Sequence, residues 1–564
     1  MQKIKILGVN RDRNGSDWHR IFYNLNNING LNIENSEIEV VFTEGENLME
    51  EIKGFNILAY NWDCKLTVQQ LSSLQKEGIK ILYFIDDFWE FPIGHYNFFN
   101  GEAIKTRTKQ HLLQADAVVC TTQDLVLKAI HYNDNVAIIP NFLNPKDFTI
   151  VDKKESDKLR LGLIGSASHI PNFLEFKNVL NKISKNKELC KKIEFVIGGY
   201  VKNAMWDSVI DMFKKKKNVN YKIIEYIPLD NYLDVYSEID VCLLPLEIHD
   251  FNFCRSSLKL IECALTNTIP VGSPIYSKKE INKLVSCFSP LDWEESISLL
   301  TNEEYFKTIL KNITEENLTN NKFEERFYNL LKVVNSVYRE DLSPKFNTSM
   351  NLWTITYDDD QTPLYKAYNN NLIRTPKQKS WRFEWNPILD ILSKEITEEY
   401  TGIFSYKFEQ KTNLTKNILT KFLNKNSYEN YDFINLSRGF WKTTKEYLEF
   451  SYKQHPQLES ILKKVLHKLE KNYTYSDTYT YSNFFIMKTE LYKEYVNNWV
   501  IPALNYMENE IWEEVNIDAN YKGVGKEKLK ELSGLEYYNN VTFVLERLIL
   551  FFIESKKLNC LNVH

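Results

Sequence analysis

Cysteine is sparse in this chain, with eight among 564 residues and no C-x-x-C pair. That excludes the common structural zinc spacings and reads as reduced thiols in a cytosolic setting. A dominant charge is also missing. Seventy Lys+Arg against 75 Asp+Glu leave a net charge of −5. No basic field exists to hold a nucleic-acid backbone, and no nucleic-acid partner is expected. No apolar run approaches the ~20 residues that span a bilayer. LERLILFFIE near the C-terminus is too short and is charged at both ends. The opening MQKIKILGVNRD enters a strand-like run at once, without a signal-peptide pattern. A cytoplasmic protein is expected, with peripheral attachment at the inner membrane face left open. No repeat of fixed period occurs, which excludes a solenoid.

Aromatic residues, by contrast, make up 14% of the chain, enough to build large cores. Three blocks can be distinguished. Residues 1–145 alternate short apolar runs with helical segments: IKILGV, IEVVF, NILAY, IKILYFID, AVVCTT and VAIIPN. That alternation predicts a parallel α/β sheet. A polar stretch, 145–158, reads as a linker. Residues 159–340 repeat the pattern with LRLGLIGS, IEFVIGGY, YKIIEYI, DVCLLPL and TIPVGSP. A second linker follows at 336–350. In the third block, 350–564, glycine is scarce and aromatics are dense. LWTITYDDD, YTGIFSYKF, YDFINLS and SNFFIMK read as strands there. The expected fold class is α/β: two doubly wound Rossmann-like domains, then a third α/β domain.

The most informative stretch is DVCLLPLEIHDFNFCRSSLKLIECALTNTIPVGSP (240–274). A strand ends at Pro245, a loop carries Phe251, Asn252 and Arg255, and a helix starts near Ser256. Lys259 and Glu262 lie three apart and share a helix face. A helix N-terminus beside Arg and Lys suits a diphosphate. A carboxylate nearby can accept hydrogen bonds from ribose hydroxyls. The bland alternative is an amphipathic helix with solvated charges. Gly165, Ser166, Ser168 and His169 follow the strand LRLGLI. Small residues there let backbone N–H groups approach an anion, although an ordinary tight turn reads the same way. Asp86 and Asp87 close the strand IKILYFI, where a carboxylate can bind sugar hydroxyls, act as a base, or merely cap the next segment. Arg11, Asp12, Arg13 and Asn14 are placed to reach the same cleft. Asp116 reads as a turn or cap residue.

Phe251, Asn252, Arg255, Ser256, Leu258, Lys259, Ile261 and Glu262 fit the pattern F-N-x-x-[KR]-S-x-L-K-x-[LI]-E. In this the chain resembles the retaining, glycogen-synthase-like glycosyltransferases of GT-B fold, and among them the bacterial surface-glycan type. The resemblance implies a donor site for a nucleotide-diphosphate sugar of UDP or GDP type. It assigns Gly165, Ser166, His169, Asn252, Arg255, Ser256, Lys259 and Glu262 to that site. It places Asp86 and Asp87 on the acceptor side as candidate catalytic residues. It also implies a glycan, lipid-linked or protein acceptor, and no metal cofactor for this module. One departure stands out. Eight residues before the ribose-binding Glu the wider group has a second carboxylate, and this chain has Cys254.

The third block resembles a domain of capsule and lipopolysaccharide loci with a GT-A-like glycosyltransferase fold. Gly402, Tyr406, Lys407, Phe408, Asn483, Phe485, Ile486, Met487, Lys488, Glu546 and Arg547 carry the likeness. It implies a second transferase, with Glu546 catalytic and Lys407 and Asn483 holding the donor. Asp358 and Asp360, in an acidic run after LWTITY, are the candidate ligands for Mn²⁺ or Mg²⁺. An exposed acidic turn, and a structural Glu546–Arg547 ion pair, are the plainer readings. The expected function is therefore sugar transfer to an acceptor hydroxyl in surface-glycan assembly, with two activities in one chain. Two alternatives stay open: a non-catalytic glycan-binding or scaffolding protein, and a phage enzyme that glycosylates DNA bases.

Overall fold

β-Branched and aliphatic runs that are buried on both faces make parallel sheets, and this chain builds two of them in succession. The computed structural model describes residues 2–11, 15–148, 152–273, 275, 284–319, 323–342, 350–356, 371–374, 382–437, 443–520 and 526–563. It divides into two units, Met1–Leu342 and Ser343–His564.

The first lobe of unit 1 holds β1 (Gln2–Val9), β2 (Asn32–Ile33), β3 (Ser36–Thr43), β4 (Ile57–Asn61), β5 (Lys80–Ile85), β6 (Ala117–Cys120) and β7 (Val136–Ile138). Their order across the sheet is β2-β3-β1-β4-β5-β6-β7, parallel throughout except at the β2 edge. Alternate residues fill opposite faces. Leu58, Tyr60, Ile81 and Tyr83 join one core, and Ile57, Ala59, Leu82 and Phe84 the other.

The second lobe holds β8 (Leu159–Ile164), β9 (Ile193–Tyr200), β10 (Tyr221–Glu225), β11 (Val241–Leu244), β12 (Ile269–Gly272) and β13 (Val285–Ser286). Its order is β10-β9-β8-β11-β12-β13, all parallel. That is the doubly wound order of dinucleotide folds. In each sheet the winding direction reverses once, between β1 and β4 and between β8 and β11. Crevices at the carboxyl ends of strands beside such reversals are where these sheets bind ligands.

Two features depart from a reading of three consecutive blocks. The helix Phe323–Arg339 leaves the second lobe and covers the first. Its Leu330, Leu331, Val334 and Val337 are buried with Ile4, Ile6 and Ile38. The stretch read as a linker is also pinned: Lys153 Nζ donates to Tyr236 O at 2.8 Å and Thr268 Oγ1 at 2.6 Å.

Unit 2 is built on β14 (Met350–Thr356), β15 (Asn371–Arg374), β16 (Tyr400–Ser405), β17 (Phe433–Asn435), β18 (Phe485–Lys488) and β19 (Cys560–Asn562), ordered β15-β14-β16-β18-β17-β19. β18 runs antiparallel to both its neighbours, so this sheet is mixed. The apolar run near the C-terminus lies in the helix Asn540–Lys556. Val544, Leu545, Leu548, Ile549 and Phe552 are each under 2% exposed, so the helix is apolar because protein surrounds it. Among the described residues no helix is long and apolar enough to cross a membrane.

Candidate functional site

The two lobes of unit 1 enclose a cleft of about 800 Å³ at the carboxyl ends of their sheets. Asp86 and Asp87 line it from the first lobe; Gly165, Ser166, His169, Arg255, Ser256, Lys259 and Glu262 line it from the second.

On the first-lobe side, β5 delivers Asp86 into a fixed network. Ser16 Oγ donates to Asp86 Oδ2 at 2.8 Å, and Trp62 Nε1 donates to Oδ1 at 2.9 Å. Asn61 Nδ2 in turn donates to Ser16 Oγ at 2.6 Å. Both Asp86 oxygens thus have a donor that fixes them, which a capping role would not require. Arg11 Nη2 donates to Asn61 O at 3.0 Å and pairs with Asp17 at 3.2 Å. Burial raises the Asp17 carboxyl above its ordinary value, with Arg11 opposing. Arg11 lines the cleft. Asp12, Arg13 and Asn14 lie outside the described residues. Asp116 Oδ2 accepts from Ile81 N and Gln75 Nε2, both at 2.7 Å, and is a structural residue.

The turn after β8 is shaped by close approach. Gly199 sits at φ +91°, and any Cβ there would run into the carbonyl oxygen of Gly165. A Cβ on Gly165 would meet the His169 ring at 2.7 Å. Two glycines therefore let the His169 side chain fold back over the strand end. Arg255 Nη1 meets His169 Nδ1 at 3.0 Å. A guanidinium only donates, so Nδ1 must accept and the neutral ring carries its proton on Nε2. Burial, then the charge of Arg255, drives the His169 pKa well below its ordinary value. Arg255 also lies 5.1 Å from the Phe251 ring centroid and 3.8 Å from Asp87 Oδ1 of the opposite lobe.

Lys259 and Glu262 form a more enclosed group than an exposed helix face would give. Glu262 Oε2 accepts from Tyr236 OH at 2.6 Å and from Lys259 Nζ at 2.9 Å. Burial alone would raise Glu262; Lys259 and Tyr236 outweigh it and hold the carboxyl below its usual range. Burial alone would lower Lys259, and Glu262 outweighs that. Lys259 is thus already paired with the residue it neighbours.

Asn252 does not join the cleft wall. It is 0% exposed, and its amide donates to Asn172 Oδ1 and to Glu247 O, both at 2.9 Å. It is corrected from donor ligand to a brace of the loop that presents Arg255. Cys254 is likewise buried, and its carbonyl accepts from Thr122 Oγ1 of the first lobe at 2.9 Å.

In unit 2, Lys407 follows β16 and Asn483 precedes the antiparallel β18, so both stand at the same end of these two neighbouring central strands. Glu546 lies on the helix Asn540–Lys556 and accepts from Arg547 Nη1 at 3.0 Å, which fits the structural ion pair. Burial, then the charge of Glu546, pushes Glu384 up to about 7. Asp358 and Asp360 lie outside the described residues. Among the described residues no three His, Cys, Asp or Glu side chains gather as a metal site.

Sequence reasoning missed His19, Trp62, His95, Tyr232 and Tyr236, all lining the cleft. Aromatic residues and histidines scattered over this chain carry no spacing that marks them.

No protein-family model matches the chain, and no curated protein matches it. Solved structures share parts of it. A UDP-forming α,α-trehalose-phosphate synthase from Burkholderia xenovorans is 11% identical, covering 52% of this chain and 77% of its own, at a TM-score of 0.39. TarM is 15% identical over 51% of this chain and 57% of its own, at 0.36. An α-glucosyltransferase in complex with UDP and a 13-mer DNA containing a HMU base is 11% identical over 59% of this chain and 99% of its own, at 0.41. At these values the functional reading rests on the residues of the cleft.

Proposed function

We propose that unit 1 is a GT-B-type glycosyltransferase that moves a sugar from a nucleotide-diphosphate donor to an acceptor hydroxyl. One observation carries this reading: Arg255, Lys259 and Glu262 line one wall of a cleft whose opposite wall presents Asp86 and Asp87. A cationic wall at a strand-end crevice suits a diphosphate, where negative charge grows as the sugar departs. Arg255 is aimed there by His169 and Phe251 and neutralises that charge without a metal. Glu262 keeps one oxygen on Tyr236 and Lys259, and its other oxygen serves the ribose. Asp86, fixed from both sides, orients the acceptor; Asp87 exchanges Arg255 for the incoming hydroxyl. The setting we infer is surface-glycan assembly at the cytoplasmic face, with UDP or GDP as the nucleotide. Unit 2 we treat as a separate, GT-A-like transferase, supported by the resemblance of its sequence.

A thermal-shift panel of UDP-, GDP-, ADP-, CMP- and dTDP-linked sugars tests the donor assignment. A ligand at 100 times its dissociation constant adds about 2.7 kcal/mol to the unit it binds. One nucleotide class should shift the protein, and Arg255→Ala should cut that stabilisation to about 0.4–1.4 kcal/mol at the same donor concentration. No shift with any donor would defeat the reading.

A further inference from the structure

The first lobe contributes one residue to the nucleotide wall that no motif announced. His19 lies on a short π-helical turn, Trp18–Phe22, in the segment after β1. Such turns widen a helix locally and are frequent at functional sites. The imidazole lines the cleft. Its ring meets Tyr232 of the second lobe edge-on, centroids 5.8 Å apart, and Trp18 edge-on at 4.7 Å. Its Nδ1 is enclosed and has no hydrogen-bond partner. Glu262, Lys259 and Arg20 are the charged groups close enough to act on it. Burial, reinforced by the two cations and opposed by Glu262, pushes its pKa down to about 4.

Three consequences follow from this setting. A neutral imidazole brings no positive charge, so it adds no ion pair to a phosphate. It carries one donor and one acceptor, the complement of a hydroxyl group. Nδ1 is closed even to a water-sized atom, so a ligand hydroxyl meets the ring at Nε2.

We propose that His19 holds a ribose hydroxyl of the bound nucleotide from the lobe opposite Glu262. This rests on the nucleotide reading of the cleft given above. The ribose then bridges the lobes, with a carboxylate on one side and an imidazole on the other. His19 becomes a specificity-determining residue for ribonucleotides.

The test is calorimetric titration of the full chain with UDP, GDP and their 2′-deoxy and 3′-deoxy forms. The wild type should prefer the ribonucleotide over at least one deoxy form by roughly three- to ten-fold, the worth of one neutral hydrogen bond. His19→Ala should weaken the ribonucleotide by a similar factor and leave that deoxy form unchanged, so the preference collapses. His19→Asn, which retains a donor and an acceptor, should keep part of it and serves if the alanine variant does not fold. The preference should hold constant between about pH 5.5 and 8, because the ring stays neutral. Affinity that instead rises as the pH falls would mean an imidazolium–phosphate contact and overturn the proposal. So would a preference that survives His19→Ala while binding still depends on Arg255; that result sinks His19 alone. Absence of binding to every nucleotide sinks the nucleotide reading along with it.

Discussion

Glu262 and Lys259 are bonded to each other at 2.9 Å inside the protein, and this changes what their mutation should report. Removing one partner of a buried pair strands the other charge, at about 3–5 kcal/mol. Glu262→Gln and Lys259→Met should therefore each lower the melting temperature as well as weaken nucleotide binding. Their combination should recover much of the stability, since no charge is then stranded, while nucleotide binding stays lost. Stability costs that simply add in the double variant would contradict the pairing. Arg255 is buried as well, and its guanidinium spans His169 and Asp87 of the opposite lobe. Arg255→Ala should cost diphosphates roughly ten- to a hundred-fold, the range of a charged hydrogen bond, and nucleosides little. Titrating UDP beside uridine measures that ratio. The pattern of residues 251–262 made these three side chains legible in the sequence. Asn252 belonged to the same pattern, yet its amide turns inward to Asn172. Spacing along a chain shows which residues travel together and is silent on which way a loop side chain faces.

At the level of elements, strands were the legible part. β4, β5 and β11 carry continuous apolar runs, because burial on both faces leaves no room for polar alternation, and β1, β8 and β9 are broken only near their starts, by Lys3 and Lys5, by Arg160 and by Glu194. The two-residue strands β2 and β13 were not legible, since Asn32–Ile33 and Val285–Ser286 are too short to show a period. Nor was the destination of the helix Phe323–Arg339. Its amphipathic pattern announces an apolar stripe and does not say which core receives it. The turn after β8 yields a sharper expectation. Gly199→Ala must hold a left-handed φ and displace the Gly165 carbonyl, at about 1–2 kcal/mol for the backbone alone. Its melting temperature should fall, and affinity for the donor should fall with it, because His169 and Arg255 are seated on that turn. Unchanged values in a thermal-shift titration would show that the β8–β9 approach relaxes freely.

For unit 1 as a whole, acid should be the weak side. His19, His95 and His111 each sit near a pKa of about 4, chiefly through burial, against an ordinary 6.5. Below about 6.5 the unfolded chain takes up protons that the folded unit refuses. Stability must then fall with falling pH from about 6.5 toward 4, and it levels off only when the folded histidines also titrate. His111 is the cleanest probe, being enclosed with Nδ1 2.7 Å from Tyr60 OH and absent from the cleft wall. His111→Gln should flatten the slope of melting temperature against pH over that window. An unaltered slope would assign the acid sensitivity elsewhere. The return of the helix Phe323–Arg339 to the first lobe also bears on how this molecule is made. The sheet β1–β7 is synthesised by residue 138, yet Leu330, Leu331, Val334 and Val337, which close one of its faces, leave the ribosome nearly two hundred residues later. Each such aliphatic burial contributes about 1.5–3 kcal/mol. Together they rival the net stability of about 5–15 kcal/mol of a whole domain. The first lobe is thus obliged to wait on the nascent chain with one apolar face only partly covered, by Ile21, Leu25 and Ile28, while the second lobe is translated and folds. The finished cleft is set late, by a contact between the two ends of unit 1, and a chain halted at residue 322 should carry a first lobe that chaperones hold and proteases degrade.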